Sequence, residues 1–323
     1  MEFKHQPVLL KEVLDYLPSK TGIFVDGTLG GGGHTKTLLE KSQMKVIGID
    51  QDLEAIFAAK KNLGVFADRI EFVHDNFSNL PEILQSKKIN KVDAILLDLG
   101  VSSYQLDNKA RGFSFQEDAP LDMRMNQSAK ESAAEIINNY PEEDLAGIFY
   151  DYGEERNSRK IAKNIVLTRK ERKIETTNQL VKIVESSFPA NYKNKYKIHP
   201  ATRVFQALRI ETNNELNILK EFIPTAAEFL AGDGRLLIIS FHSLEDRIVK
   251  HAFRDLEEKY SDQYKHQIFS SEGAFNALSS PSAKLSESCY KVLTKKPIEA
   301  EGEEIRQNPR SRSAKLRVLK KLI

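Results

Sequence analysis

Two aspartates stand where apolar runs end, and a glycine cluster precedes both. Asp50 closes KVIGID and Asp98 follows AILL, while DGTLGGGGHT (residues 26–35) joins an apolar run to a helix-like stretch. Acids are seldom buried without a partner, so an aspartate ending a buried strand at the ligand-binding edge of a sheet points to function. A helix or turn cap is the plainer alternative for Asp98. A glycine turn at that edge lets a ligand approach the backbone; its plainer alternative is a flexible connection. Asp50 lies twenty residues after Gly30, where a carboxylate in this architecture accepts hydrogen bonds from a ribose diol. Asp52 is the other candidate for that role, or the N-cap of the next helix. Asp75, Asn76 and Phe77 follow the third apolar run. A polar side chain there reaches an adenine edge and an aromatic ring covers its face, with a cap and a core Phe as the alternative. Together these features describe an adenosine pocket. The glycines match neither G-x-G-x-x-G nor an ending in G-K-[ST], which disfavours NAD, kinases and ATPases. S-adenosylmethionine suits such a pocket, because its methionine tail places a carboxylate, an ammonium and a sulfonium where a dinucleotide has phosphates.

The elements that must carry these residues are short β-branched runs at 22–28, 45–50, 70–74 and 92–99, with helix-like stretches at 34–41 and 53–62 between them. Continuous apolar character marks strands buried on both faces, at the spacing of right-handed βαβ crossovers. The fold class is α/β, a doubly wound Rossmann-like sheet suited to S-adenosylmethionine with an inserted helical subdomain. A fifth run, RLLIISF at 235–241, follows a long interval with helical periodicity at 132–139, 142–150, 158–167 and 178–186. The expected organisation is a discontinuous sheet domain of residues 1–107 and 214–323 around a helical subdomain of residues 108–213. A helix is expected over 244–260 and a closing antiparallel pair at 290–294 and 314–319, while the serine-rich stretch 270–288 reads as a mobile loop.

Composition narrows the class. With 323 residues, 40% hydrophobic and 29% charged, the chain has enough apolar material for a sizeable core. Its net charge of +2 conceals segregation: residues 112–155 sum to −9, residues 156–209 to +11, and the last nineteen residues hold seven Lys and Arg and no acid. Phosphates respond to the local field rather than to the sum, so a polyanionic partner is compatible with near neutrality; solvated helix faces are the alternative. Cys289 is the single cysteine, which rules out an intramolecular disulfide and a zinc site built on several thiolates, and no metal is expected. A reducing compartment, the cytoplasm, is the natural reading. No apolar stretch approaches the roughly 18 residues of a membrane span, so no membrane partner is expected. The oligomeric state is not encoded in any such pattern.

Six separated strings carry a family resemblance: GHT after DGTLGGG, LLDLGVSS at 96–103, RGFSF at 111–115, PLDMRM at 120–125, HPATRVFQALRI at 199–210 and SFHSLEDRIVK at 240–250. In this order, from about His5 to Arg317, they resemble the bacterial ribosomal RNA small-subunit methyltransferase H family. The resemblance implies a 16S rRNA cytosine-N4 methyltransferase that uses S-adenosylmethionine to methylate the exocyclic N4 of one cytosine in the decoding region, with 16S ribosomal RNA or the small subunit as partner. It places cofactor contacts on Gly32, Gly33, His34, Asp50, Phe77, Asp98 and Gln105, and so selects Asp50 over Asp52. The chain departs from the pattern at Tyr104, where relatives often carry Pro.

The residues agree with N4 as acceptor. A C5-cytosine methyltransferase needs a thiolate to attack the ring, and Cys289 lies far in sequence from these strings. N4 attacks without a covalent step, but its lone pair is delocalised, so the enzyme must accept hydrogen bonds from the amino group and align it. Asp98 is the candidate catalytic acceptor, a role that stays open beside that of a cofactor contact. Phe113 and Phe115, beside Arg111, read either as stacking partners for an unstacked base or as a small core. His242 and Ser243 fall just past the fifth strand, and Ser243 with Asp246 reads as a helix cap. Arg203 and Arg209 read as phosphate contacts or as partners of nearby acids. The basic stretches 156–209 and 306–321 are the expected RNA-backbone surfaces. Two other classes compete: an NAD-dependent oxidoreductase and a non-catalytic RNA-binding protein on the same fold.

Overall fold

Alternating side chains of β-branched strands build one sheet with an apolar layer on each face. A computed structural model describes residues 7–189, 198–270 and 289–323. Strands β1 (Ile23–Asp26), β2 (Lys45–Asp50), β3 (Ile70–His74) and β4 (Val92–Asp98) alternate with helices α1 (Leu10–Asp15), α2 (Gly33–Lys41), α3 (Leu53–Leu63) and α4 (Leu80–Ser86). After the helical interval come β5 (Leu230–Ser240), α12 (Ser243–Ser270), β6 (Tyr290–Val292), β7 (Ile298–Glu299), α13 (Gly302–Gln307) and β8 (Lys315–Lys321). The sheet order is β3-β2-β1-β4-β5-β8-β6, with β7 on β8. Strands β1 to β5 pair in parallel, and β8 is antiparallel to β5, β6 and β7. The order of strand addition reverses between β1 and β4, which puts the switch point, and hence the ligand crevice of such sheets, at their carboxyl ends.

Successive residues of each strand face opposite layers. Val25, Ile47, Ile95, Leu97 and Ile238 pack with α4, α12 and α11 (Glu215–Phe229), while Phe24, Val46, Leu96, Leu237 and Ile239 pack with α1, α2 and α3. Residues of this kind, buried on both faces, explain why the runs read as continuously apolar.

The chain divides into two compact units, Met1–Gly100 with Ile218–Ile323 and Val101–Asn217. The second contains α5 (Ser103–Asp107), α6 (Ala133–Asn139), α7 (Glu142–Asp151), α8 (Ser158–Glu171), α9 (Thr177–Ser186) and α10 (Pro200–Asn213). Its own core joins Ile136, Phe149, Ile165, Leu180, Phe205 and Leu208. Ser132 and Thr176 open α6 and α9 with capping boxes closed by Glu135 and Gln179.

Three elements differ from the sequence reading. Asn214 adopts a left-handed conformation (φ 50°) and a further helix, α11, follows it with Pro224 inside; the Asn pair and the proline conceal a helix made stable by burial of Phe222, Ile223 and Ala226. Strand β5 begins at Leu230, because a register shift opposite Val92 and Ala94 absorbs the Gly232-Asp233-Gly234 turn. Strand β7 is too short to leave a periodic signal. The expected mobile loop lies, apart from Ser270, outside the described residues. Among the described residues no helix is long and apolar enough to cross a membrane.

Candidate active site at the carboxyl edge of the sheet

Strands β1, β2 and β4 all end in aspartate. Asp26 is 2% exposed and accepts the Thr35 hydroxyl hydrogen at 2.6 Å. Its carboxyl pKa is pushed up to about 6, chiefly by burial, against the lowering effect of the Thr35 and Thr28 hydrogen bonds. Asp50 accepts the Gly30 and Asp52 backbone N–H groups, each at 2.8 Å, which ties the glycine turn to the end of β2. It too is raised to about 6 by burial, partly offset by those two N–H donors. Asp52 caps α3 by accepting Glu54 N–H at 3.0 Å. The two acids therefore have distinct duties, and the cap belongs to Asp52.

Asp98 differs from both. Its backbone N–H donates to Thr28 Oγ1 at 2.6 Å, and its Oδ2 lies 3.7 Å from His34 Nδ1. The side chain keeps 25% exposure, yet Oδ1 is buried without a hydrogen-bond partner. Burial, and then the negative charges of Asp26 and Glu245, push its pKa up to about 8. A neutral carboxyl group at pH 7 follows, and a cation set beside it would return it to the charged form.

His34 is 7% exposed, and its Nε2 meets the Val8 carbonyl oxygen at 2.8 Å. A carbonyl only accepts, so Nε2 carries a proton and Nδ1 is the atom turned toward Asp98. Gly32 is the left-handed N-cap of α2 (φ 78°), and a Cβ there would press to 2.6 Å from Leu63. At Gly33 a Cβ would meet Pro7 at 2.7 Å. The glycines are thus required by backbone conformation and close packing of the turn itself. Phe77 lies near that turn, 3.3 Å from where a Gly27 Cβ would stand, and its ring meets Phe222 edge-on at 4.8 Å. Asn76 caps the short turn after β3 and donates to Gln51 Oε1 at 2.8 Å.

Gly32, Gly33, His34, Asp50, Phe77 and Asp98 therefore gather in the sheet unit. Gln105 belongs to the helical unit, where its Oε1 accepts Ser102 N–H at 3.0 Å in the capping box of α5. Asp26 stands at the same edge, and the sequence signal that marks it is the one shared by Asp50 and Asp98, an aspartate closing an apolar strand. The sequence reading also passes over Glu245, whose Oε2 accepts the Phe241 and His242 N–H groups at 2.8 and 3.3 Å. The expected Ser243 and Asp246 cap is corrected by this geometry, since Asp246 instead pairs with Arg317 at 2.6 and 3.2 Å. Phe113 and Phe115 pack on the core of the helical unit, Phe115 against Phe205 at 4.9 Å. In the same unit Arg209 forms a bidentate pair with Glu215, both contacts 2.8 Å, and Arg203 lies 3.7 Å from Glu155. Among the described residues no group of three or more metal-ligating side chains converges.

Comparison with known proteins identifies the family to which the chain belongs. The chain is 50% identical, over the full length of both, to ribosomal RNA small subunit methyltransferase H of Clostridium botulinum strains Loch Maree and 657. Among solved structures, an rRNA methylase from Streptococcus thermophilus aligns over all of both chains at 12% identity with a TM-score of 0.40, too loose a likeness to argue from. The family model of the MraW methylases matches residues 2–322, and the chain belongs to the MraW methylase family.

Proposed function

We propose that the protein methylates the exocyclic N4 of a cytosine in the decoding region of 16S ribosomal RNA, in the RNA or in the small subunit. The observation that carries this reading is Asp98 Oδ1, a buried acceptor without a partner at the end of β4. S-adenosylmethionine is the methyl donor and supplies an electrophilic methyl group on a sulfonium. The acid-rich edge suits a ligand bearing sulfonium and ammonium charges, because positive charge set beside Asp26 and Asp98, both raised by burial, stabilises their carboxylate forms. Gly32, Gly33, His34, Asp50, Phe77 and Asp98 are the proposed holding positions, and Gln105 joins them from the family resemblance.

Within this reading Asp98 ionises when positive charge is set beside it. Its carboxylate accepts a hydrogen from the N4 amino group, concentrating the lone pair on nitrogen, and takes the proton that N4 must lose. Asp50 orients a ribose diol while bracing the glycine turn. The thiol does not serve a C5 reaction: Cys289 precedes β6, and Tyr290 pairs with Lys321 of β8, whose neighbour Lys320 lies opposite Arg235 near the start of β5. That is the end of the sheet remote from Asp98.

The helical subdomain and the basic tail are the proposed RNA surfaces. Arg159, Lys160 and Lys163 are exposed on α8, as are Arg306, Arg310 and Arg312 before β8. Arg317 is 5% exposed and engaged with Asp246, so it belongs to the fold. The test is incubation of purified protein with S-adenosylmethionine and unmethylated small subunits, followed by nucleoside mass spectrometry and mapping. N4-methylcytidine at one decoding-region position is expected; methylation at C5, on ribose or at another base would refute the proposal.

A further inference from the structure

A second buried polar atom lacks a hydrogen-bond partner at the same edge: His242 Nε2. Strands β4 and β5 are parallel neighbours with Asp98 opposite Ile239, and neighbouring strands stand about 4.8 Å apart. His242 follows the last residue of β5, Ser240, by two positions, so it emerges on the edge that holds Asp98. Glu245 joins the two, since its charge acts on Asp98 and its Oε1 is 3.2 Å from His242 Nε2, out of line for a hydrogen bond.

The ring's protonation state follows from its partners. Glu245 backbone N–H donates to His242 Nδ1 at 3.4 Å, and Glu245 Oε2 holds the preceding backbone N–H groups. Nδ1 is therefore the acceptor, and the neutral imidazole carries its proton on Nε2. With the ring only 11% exposed, an N–H donor and the Asp98 Oδ1 acceptor are both left without hydrogen-bond partners at one edge of the sheet. Cytosine presents the complement along one edge, a hydrogen-bond donor at N4 and an acceptor at N3. Uracil presents the reverse, an acceptor at O4 and a donor at N3.

We propose that His242 is a specificity-determining residue that donates from Nε2 to cytosine N3 while Asp98 Oδ1 accepts from N4. The proposal rests on the cytosine-N4 reading and adds to it a means of rejecting uracil. A uracil in this place would set two donors against each other and two acceptors against each other. Mismatches of unpaired buried polar groups of this kind give the largest selectivities that binding alone achieves.

The test couples one protein atom to one RNA atom. Small subunits carrying either the target cytidine or 3-deazacytidine, in which N3 is a C–H, are methylated in single-turnover reactions with saturating S-adenosylmethionine. Wild type should lose about 10- to 100-fold in rate constant on the deaza substrate. His242→Phe should show the same loss on cytidine and little additional loss on 3-deazacytidine, while His242→Gln, which keeps an N–H donor, should recover most of the rate. Cofactor affinity of both variants should stay within about twofold of wild type. Penalties that multiply, or a folded His242→Phe variant as fast as wild type, would overturn the proposal. If His242→Phe does not fold, the wild-type loss and its persistence in His242→Gln decide: no loss on the deaza substrate sinks the idea. Wild type producing no N4-methylcytidine on the unmodified substrate would bring down the cytosine-N4 reading itself, and the proposal with it. Product formation with multiplying penalties removes His242 alone.

Discussion

Removing the charge of Asp98 should abolish most of the pH dependence of cofactor binding above pH 6.5. In the free protein its carboxyl titrates at about 8, first through burial and then through the fields of Asp26 and Glu245. At pH 7 roughly one molecule in ten then carries the carboxylate, and at pH 6 roughly one in a hundred. A cationic ligand that requires the carboxylate pays for that ionisation, so its apparent Kd should weaken about tenfold per unit as pH falls below 8. Binding at pH 7 should release close to one proton, because positive charge beside Asp98 lowers its pKa. Asp26 and Asp50, both near 6, contribute only at lower pH. Calorimetry of S-adenosylmethionine binding from pH 6 to 8, in two buffers of different ionisation enthalpy, reads both quantities. In Asp98→Asn, which keeps the size and an acceptor oxygen, the slope between pH 6.5 and 8 and the proton release should collapse. A wild-type Kd that is flat across this interval, or an unchanged slope in a folded Asp98→Asn protein, refutes the reasoning.

Other outcomes follow from the same edge and from the surface charge. Asp50→Ala should weaken S-adenosylmethionine binding by about 30- to 150-fold, on the order of 2 to 3 kcal/mol, since it removes a charged acceptor and frees the Gly30 N–H that it braces; unchanged affinity in a folded variant takes Asp50 out of the site. Folded-state pKa values above the unfolded carboxyl value mean that the native protein binds extra protons, so this contribution to stability is fully present below about pH 4 and is lost as pH rises through about 6 and then about 8. The melting temperature of the free protein should accordingly fall from pH 5 to 8, with Asp98→Asn gaining on the order of 1 to 3 kcal/mol over wild type at pH 8; a variant that melts no higher than wild type at pH 8 contradicts the assignment. Neutralising Arg310 and Arg312, both exposed, should reduce the slope of log K for RNA against log salt by about 1 to 2 while leaving cofactor affinity unchanged. An unaltered slope would assign that segment to the fold alone.

Local pattern was enough to place the strands and the acids that end them. Buried parallel strands need β-branched residues on both faces, so VIGID and AILLD announce themselves, and an aspartate closing such a run is conspicuous in the sequence. Helix α11 was hidden for the converse reason: Asn214 and Pro224 are local stop signals overridden by the burial of Phe222 and Ile223. Partnership was decided only by tertiary structure. Arg209 could have served phosphate until Glu215 was found against it, and Phe115 could have stacked on a base until it proved to pack on Phe205. The difference between Asp50, satisfied by two backbone N–H groups, and Asp98, with Oδ1 unmatched, is likewise invisible in composition or spacing. Sequence periodicity reports which face a residue occupies, whereas desolvation and hydrogen-bond partners depend on groups brought from distant strands. The coupling of Asp98 to Asp26 and Glu245 arises because three separate turns meet at one edge of the sheet, a juxtaposition that exists only once the chain has folded.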